Sequence, residues 1–306
     1  MCAAVVAEED NKNNKVQYCA SCGIAGVDDI VLEDCDHCDL VKYCSVECQK
    51  DHRPKHREEC EKIAAELRDE NLFKQPESSH LGDCPICCLP LPLDLSKSVS
   101  YSCCSKQIRK GCDYANQKRE IEGKLKQRCA FCRKELPNTN AEHIEQWMKR
   151  VEANDPVAMR CMGTERYHEG DYKAAYEYWT KAADLGDVKA HYQLSTSYRD
   201  GKGVEKDKKR EQHHAEQAAI GGHPGARYNL GWTDEELGKM ARAAKHYIIA
   251  AKLGDDDSLK AVKSLYEEGY YVSKEDFAAA LRGHQAAVDA TKSPQREEAA
   301  GGEFFA

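Results

Sequence analysis

The sequence lacks any apolar run long enough to cross a membrane. A transmembrane helix needs about 18 or more consecutive apolar residues, and no such run occurs among the 306 residues. The first ten residues also lack the basic stretch and the apolar segment of a secretory leader. We therefore expect an intracellular protein, in the cytoplasm, the nucleus or both, whose cysteines stay reduced.

An excess of positive charge is also missing. The formal net charge is -8 at pH 7, with 45 Lys and Arg against 53 Asp and Glu. General binding to nucleic acid depends on Lys and Arg side chains that neutralise phosphates. The charge balance therefore argues against nucleic acid as the partner and favours proteins or peptides.

Cysteine is nearly absent from the second half of the chain. Of the 17 cysteines, all except Cys161 precede position 133. A chain of this length is long enough for two or more compact units. We expect a cysteine-rich front part and an ordinary globular back part, stabilised in different ways.

Eight residues between positions 19 and 60 fall into four pairs with the spacing of metal ligands. Two cysteines three positions apart can turn their sulfurs toward one ion, and residues four apart share one face of a helical turn. A segment of roughly 40 residues buries little apolar surface, whereas a structural zinc contributes on the order of 10 kcal/mol to folding. Four pairs are enough for two complete zinc sites. The pairs are Cys19 with Cys22, Cys35 with Cys38, Cys44 with Cys48, and His56 with Cys60.

The order of these pairs, and the run from Cys44 to Cys60, resemble a MYND-type zinc finger. The resemblance implies interleaved sites and the docking of short proline-containing peptides. Arg53 is a departure, because such fingers usually have Trp at this position beside the peptide groove. His52 lies four positions before His56 and is interpreted as a surface residue rather than a ligand. The implied ligand sets are Cys19, Cys22, Cys44 and Cys48 for the first zinc, and Cys35, Cys38, His56 and Cys60 for the second.

A second cysteine cluster lies between positions 84 and 132. It opens with Cys84-Pro-Ile-Cys87 and closes with Cys129-Ala-Phe-Cys132, and this frame resembles a RING-type finger over residues 84 to 137. The resemblance implies contact with a ubiquitin-conjugating enzyme through Ile86 and Arg133. The implied zinc ligands are Cys84, Cys87 and Cys112 for one site and Cys104, Cys129 and Cys132 for the other.

The middle of this cluster departs from the RING pattern. Lys106 and Arg109 stand where metal ligands are expected, and Arg cannot lose its proton to ligate. Cys103 is an alternative fourth ligand for the second site, whereas the first needs water, Asp113 or another side chain. We expect at least one bound zinc here, and up to two in addition to the two of the finger; the alternative is a metal-free domain held by apolar residues. The charged stretch from Asn116 to Lys126 predicts a helix.

From Asp155 onward the sequence repeats itself. Gly186, Gly222 and Gly254 each close a unit with small residues, at spacings of 36 and 32 residues, which is the period of a helix-turn-helix solenoid. The run from Tyr198 to Val204 resembles the Sel-like repeats of the tetratricopeptide-like superfamily, and the resemblance implies a protein-binding scaffold over about 155 to 290. The predicted units begin at Ala158, Ala190, Ala226 and Ser258, followed four positions later by Met162, Leu194, Leu230 and Val262.

The expected fold is multidomain, with small zinc-stabilised α+β fingers followed by an all-α superhelical (α/α solenoid) repeat domain. The expected function is that of a zinc-binding scaffold for protein–protein interaction. The alternative is a RING-type ubiquitin ligase with a substrate-selecting finger and repeats; a SET-domain methyltransferase and other enzymes are disfavoured, because no catalytic constellation is visible. The expected segments are a disordered N-terminus at 1–15, a MYND-type finger with its following helix at 16–76, a RING-like domain at 80–140, Sel-like repeats at 143–290 and a disordered tail at 291–306.

Overall fold

A computed structural model of the chain describes residues 17–26, 30–36, 38, 41–269 and 271–293. The chain forms two compact units, of which the first ends at Asn71 and the second begins at Leu72. The N-terminal segment and most of the tail that we expect to be disordered lie outside the described residues. Within the described ranges, no helix combines the length and the apolar character that a bilayer crossing requires.

The first unit contains a short two-stranded sheet and a long helix. Strand β1 (Glu33–Asp34) pairs antiparallel with β2 (Lys42–Tyr43), and helix α1 (Val46–Leu72) follows. The buried cluster of this unit consists of three cysteines and Tyr43. Because little but cysteine is buried, the unit has almost no apolar core of its own, as the short segment predicted.

The second unit opens with a small sheet and a helix that belong to the second cysteine cluster. Strand β3 (Ser98–Ser100) pairs antiparallel with β4 (Gln107–Arg109), and a 3-10 helix (Leu95–Lys97) precedes them. Helix α2 (Lys110–Glu122) begins six residues before the predicted Asn116 and ends earlier than predicted. It ends because Gly123 caps it and Lys124 adopts a left-handed conformation with φ of 51°.

Helices α3 to α11 form the repeat array, in which neighbours in sequence pack on each other and α11 packs mainly on α9. The predicted start signals are confirmed. Pro156 and Pro224 stand in the first turns of α4 and α8, and Ser273 caps α11 by accepting a hydrogen bond from the amide of Asp276. The helices are α3 Asn140–Glu152, α4 Pro156–His168, α5 Tyr172–Asp184, α6 Val188–Asp200, α7 Lys208–Ile220, α8 Pro224–Glu236, α9 Met240–Lys252, α10 Asp256–Glu267 and α11 Lys274–Ala290.

The repeat register read from the sequence is confirmed by burial. The four predicted opening positions fall in α4, α6, α8 and α10, and each has no exposed surface. The residues four positions later, one helical turn away, are at most 8 % exposed. Small residues at these positions let neighbouring helices approach closely, which is how a solenoid buries a continuous core.

A glycine pattern that sequence reasoning missed accompanies this register. A Cβ atom on Gly163 in α4 would lie 2.5 Å from Nε1 of Trp179 in α5. Two units later, a Cβ on Gly231 in α8 would lie 2.7 Å from the ring of Tyr247 in α9. The same type of contact therefore occurs within two of the repeats: a large aromatic ring of the second helix lies on a glycine of the first.

Replacing Gly163 with alanine is expected to lower the free energy of unfolding of the second unit by about 1–3 kcal/mol, because the added methyl group forces Trp179 out of its place. This clash outweighs the gain of up to about 1 kcal/mol that alanine gives a helix over glycine. Denaturant unfolding followed by tryptophan fluorescence measures the change. Arg166→Ala in the same helix, which removes a surface ion pair with Glu169, is the control and should cost less than about 1 kcal/mol.

Leu72, the last residue of α1 and the first of the second unit, and the segment after it pack on the repeat array. Leu72 is buried among residues of α7 and α8. Arg227 of α8, which is fully buried, donates hydrogen bonds to the carbonyl oxygens of Leu72 at 2.7 Å and Lys74 at 3.3 Å. Further along, the ring of His80 stacks on that of His223 with centroids 4.3 Å apart. The chain thus enters the second cysteine cluster along a fixed path.

Hydrogen bonds join the second cysteine cluster to the first and the last helix of the repeat array. At α3, Ser102 donates a hydrogen bond to Gln146 at 2.7 Å, and Arg150 donates one to Ser105 at 2.7 Å. At the far end of the array, the buried guanidinium of Arg109 donates to the carbonyl oxygen of Thr291, which caps α11. These polar contacts explain why the cluster and the repeats form one compact unit.

Candidate metal centres

The first candidate centre, site A, gathers four cysteines of the finger. Cys19 comes from the segment before β1, Cys44 follows β2, and Cys48 lies in the first turn of α1. Their sulfur atoms and that of Cys22 lie within 4.8 Å of one another. The Sγ atoms of Cys22 and Cys44 are 3.5 Å apart, and those of Cys44 and Cys48 are 3.6 Å apart.

The second candidate centre, site B, lies beside site A and shares helix α1 with it. His56 and Cys60 stand one turn apart on α1, and Cys35 and Cys38 come from the loop between the strands. The Sγ atoms of Cys35 and Cys60 are 3.7 Å apart, and the Sγ of Cys38 is 3.2 Å from Nε2 of His56. The structure therefore brings together the two interleaved sets that the resemblance implied.

His52 lies outside both groups. Its Nδ1 is 3.0 Å from the hydroxyl of Tyr43, and its ring stacks on His56 at a centroid distance of 5.5 Å. The ring of His52 therefore packs against the ring of a site B donor. This position agrees with the interpretation of His52 as a residue other than a ligand.

Two further groups of cysteines lie in the second unit. Site C contains Cys84, Cys87 and Cys112, with the Sγ atoms of Cys84 and Cys112 3.7 Å apart. Site D contains four cysteines, because Cys103 joins the three predicted ones; its Sγ is 3.4 Å from that of Cys132. Site D consists of Cys103, Cys104, Cys129 and Cys132.

Site C lacks a fourth side-chain donor among the described residues. Asp113, one of the alternatives from the sequence, accepts hydrogen bonds from Tyr101 and Gln117 instead. Arg109 turns its guanidinium to the carbonyl oxygens of Pro90 and Thr291. Cys88 is exposed and lies outside the group. A metal in site C would therefore have three thiolates and one position open to another ligand.

The donor sets fit zinc. Sulfur atoms around a tetrahedral zinc with Zn–S bonds of about 2.3 Å lie about 3.8 Å apart, and the sulfur–sulfur distances quoted for sites A to D are 3.4 to 3.8 Å. A disulfide would need a sulfur–sulfur distance of about 2.05 Å. Burial, with neighbouring thiols, raises the pKa of Cys60 and of Cys112 to about 12, so a metal must displace their protons on binding. Zinc bound in these sites would supply cross-links between distant chain segments.

The backbone supports this arrangement at four pairs of nearby cysteines, namely Cys19 with Cys22, Cys84 with Cys87, Cys103 with Cys104, and Cys129 with Cys132. The residue after the second cysteine adopts a left-handed conformation, with φ of 76° at Gly23, 56° at Cys88, 57° at Ser105 and 63° at Arg133. This conformation closes a tight turn, and it is uncommon for residues other than glycine. In site D, the amides of Phe131 and Cys132 donate to the Sγ of Cys129, both at 3.4 Å. Such N–H groups stabilise thiolates.

The residues predicted to contact a conjugating enzyme differ in their surroundings. Ile86 is 43 % exposed. Arg133 pairs with the buried carboxylate of Glu120 at 2.7 Å and donates to Asn116 at 2.7 Å, so its guanidinium joins site D to α2. The structure therefore gives Arg133 a role within its own domain.

Comparison with known proteins identifies the finger. The profile of the MYND finger family matches residues 19–60. DAP3-binding cell death enhancer 1 of Rattus norvegicus is 41 % identical over 51 residues, which are 17 % of this chain and 10 % of that protein. The chain thus matches about a tenth of the length of this relative.

Solved structures similar to this chain include two repeat proteins. A Sel1 repeat protein from Oxalobacter formigenes is 30 % identical, with 51 % of this chain and 66 % of that chain covered and a TM-score of 0.43. A protective antigen of uropathogenic Escherichia coli with an SLR fold is 28 % identical, with 51 % and 34 % covered and a TM-score of 0.41. Residues 19–60 of this chain are a MYND finger, and an array of helical repeats follows it.

Proposed function

We propose that the protein is a zinc-binding scaffold whose MYND finger and helical repeats each hold a protein segment. The observation that carries the proposal is a groove on the finger beside site B, with a volume of about 590 Å³. This volume lies in the range of pockets that bind small ligands or short peptide segments. The groove opens onto site B, since three of its donors line it, namely Cys35, His56 and Cys60. The other lining residues are Tyr43, Gln49, Lys50, Arg53, Pro54, Arg57 and Glu61.

The groove is cationic. Lys50 and Arg53 are exposed, and neither forms a salt bridge with another described residue. Arg57 also lines the groove, but it pairs with Glu61 at 3.0 Å. A zinc held by three thiolates and a neutral histidine carries a net charge of about -1, so the two unpaired cations outweigh it. We infer that the groove binds a proline-containing peptide with an acidic residue.

The second unit fits the role of a rigid platform. Its repeats bury small residues in register, and the second cysteine cluster is hydrogen-bonded to α3 and to the end of α11. A rigid array presents an extended surface to partner proteins. The matched rat protein is named for binding DAP3, and we propose by analogy that the partners of this chain are proteins.

Replacing Arg53 with glutamate is expected to weaken binding of an acidic, proline-containing peptide about tenfold. The substitution turns a favourable contact between charges into repulsion, and a charge-assisted hydrogen bond is worth about 1.5–3 kcal/mol. Fluorescence anisotropy with the zinc-loaded full chain and a labelled peptide measures the dissociation constant. A second peptide, with the acidic residue replaced by its amide, should respond much less to the substitution.

The matched control is Lys62→Glu, which reverses an exposed charge on the same helix outside the residues that line the groove. It should change the dissociation constant less than twofold. Equal weakening by both variants would contradict a specific role of Arg53. A separate experiment decides the ligase alternative. The zinc-loaded chain is incubated with ubiquitin and a panel of conjugating enzymes, and the formation of ubiquitin chains would show a catalytic activity that a scaffold lacks.

A further inference from the structure

A cavity of about 440 Å³ lies between the second cysteine cluster and the repeat array. Leu91 and Lys106 line it from the cluster, and Val157, Leu185 and Val188 line it from the repeats. Both sides belong to the second compact unit. The cavity has both apolar and polar walls. Its volume lies toward the lower end of the range for ligand pockets.

Three cationic side chains, Arg160, Lys189 and Lys106, line the cavity against two carboxylates, Asp83 and Asp187. Arg160 and Lys189 have donors to spare. Arg160 uses its Nε to donate to Asp187 at 3.1 Å, and no described residue accepts from its two terminal amino groups. Its side chain is only 17 % exposed. Lys189 has no hydrogen bond or salt bridge with another described residue. Arg offers a planar fork of N–H donors that matches a carboxylate, and Lys adds a further charge.

The electrostatics of the cavity favour an anion. Burial, with the nearby charge of Arg160, lowers the pKa of Lys189 to about 8. Two carboxylates line the cavity, those of Asp83 and Asp187. That of Asp187 is already engaged by Arg160 and by the amide of Ala190, which donates to it at 2.8 Å. Val157 and Val188 lie in the first turns of α4 and α6, whose N-terminal ends add partial positive charge. A bound anion would relieve the repulsion between two like charges.

The walls narrow the chemistry of the ligand. No Phe, Tyr or Trp among the described residues lines the cavity. The ring of His80 does line it, but this ring is already stacked on that of His223, so the cavity offers little aromatic surface on which a nucleobase could stack. Aliphatic side chains and prolines form most of its apolar surface. The volume has room for the end of a peptide rather than for a long segment.

We propose that the Arg160–Lys189 cavity binds the C-terminal carboxylate of a partner protein, with an aliphatic last side chain against Leu91, Val157 and Leu185. The guanidinium of Arg160 and the ammonium of Lys189 hold the carboxylate. This site is separate from the groove of the finger, so it goes beyond the scaffold function proposed above and does not depend on the finger.

The test compares N-acetyl-leucyl-leucine with its C-terminal amide as probes of the zinc-loaded full chain. Saturation-transfer NMR titrations give the two dissociation constants. The free acid is expected to bind at least tenfold more tightly than the amide, because only the acid accepts charge-assisted hydrogen bonds. In the Lys189→Met variant the affinity for the acid should fall about tenfold, and the affinity for the amide should stay the same. Lys189→Arg should restore most of the affinity.

Lys263→Met on α10, which removes an exposed lysine paired with Glu267, is the matched control and should leave both affinities unchanged. Unfolding midpoints of the variants establish that they fold. Equal binding of acid and amide, no binding of either, or unchanged binding after Lys189→Met would overturn the proposal. Displacement of the acid by inorganic phosphate at lower concentration than by acetate would also overturn it, in favour of a phosphate site. None of these outcomes bears on the groove of the finger.

Discussion

Replacing Cys38 with serine is expected to unfold the finger within the full chain. Cys38 has no exposed surface and lies 3.2 Å from His56 in site B. A structural zinc contributes on the order of 10 kcal/mol to folding, which is as large as the whole stability of a typical domain. Because α1 carries residues of both sites, loss of site B should also weaken site A. Zinc content per chain, by atomic spectrometry, is expected to fall by two.

Amide hydrogen exchange locates the effect. Protection of residues in the first unit should be lost in the Cys38→Ser chain, whereas the repeats keep theirs, because they do not depend on this zinc. Cys161→Ser in α4, which lies outside the four sites, and His52→Ala are controls that should keep the zinc content of the parent. A metal-free chain whose finger stays protected would show that zinc is not what stabilises it.

Replacing Cys129 with serine is expected to remove the zinc of site D and to destabilise the second unit by several kcal/mol. Cys129 is fully buried, accepts two backbone N–H groups and lies 3.8 Å from Cys104. Four thiolates complete a tetrahedral site, so this zinc should be firmly bound. Denaturant unfolding and zinc content measure the two effects. Part of the domain should stay folded, because Ile108 and Tyr101 also form its core.

Cys87→Ser is the matched comparison in site C, where the described residues supply three thiols. It should cost less than half as much stability as Cys129→Ser, since a three-thiolate site binds its metal more weakly. We expect site C to be only partly occupied by zinc, so the zinc content should fall by less than one ion per chain. Equal losses from the two variants would mean that site C holds its metal as firmly as site D.

The finger and the repeats could be predicted because their signals are local in sequence. Ligand pairs such as Cys19 and Cys22 are set by the geometry of a short turn, and pairs such as His56 and Cys60 by one turn of a helix. The repeat register at Ala158 and Ala190 follows from the need for small residues where helices meet. The bounds of α2 were less accurate, because Gly123 and not the charge pattern ends that helix.

The second cysteine cluster was only partly predictable. The sequence left Cys103 as one alternative for a fourth donor, and only the structure shows that its Sγ lies 3.4 Å from that of Cys132. Asp113 was one of the alternatives for site C, beside water or another side chain, and the structure shows that its carboxylate accepts hydrogen bonds from Tyr101 and Gln117. Residue type gives the capacity to ligate, but the direction of a side chain depends on the packing around it.

The sequence by itself determined which residues pair as candidate metal ligands in the finger and where the helical units begin, because both depend on contacts a few residues apart. Tertiary structure alone decided that Arg109 reaches Thr291, that Arg227 holds Leu72, and that Arg160 and Lys189 line one cavity. These contacts join residues far apart in the chain or on separate helices. No local spacing specifies them, since they arise only when the repeats and the second cysteine cluster pack together.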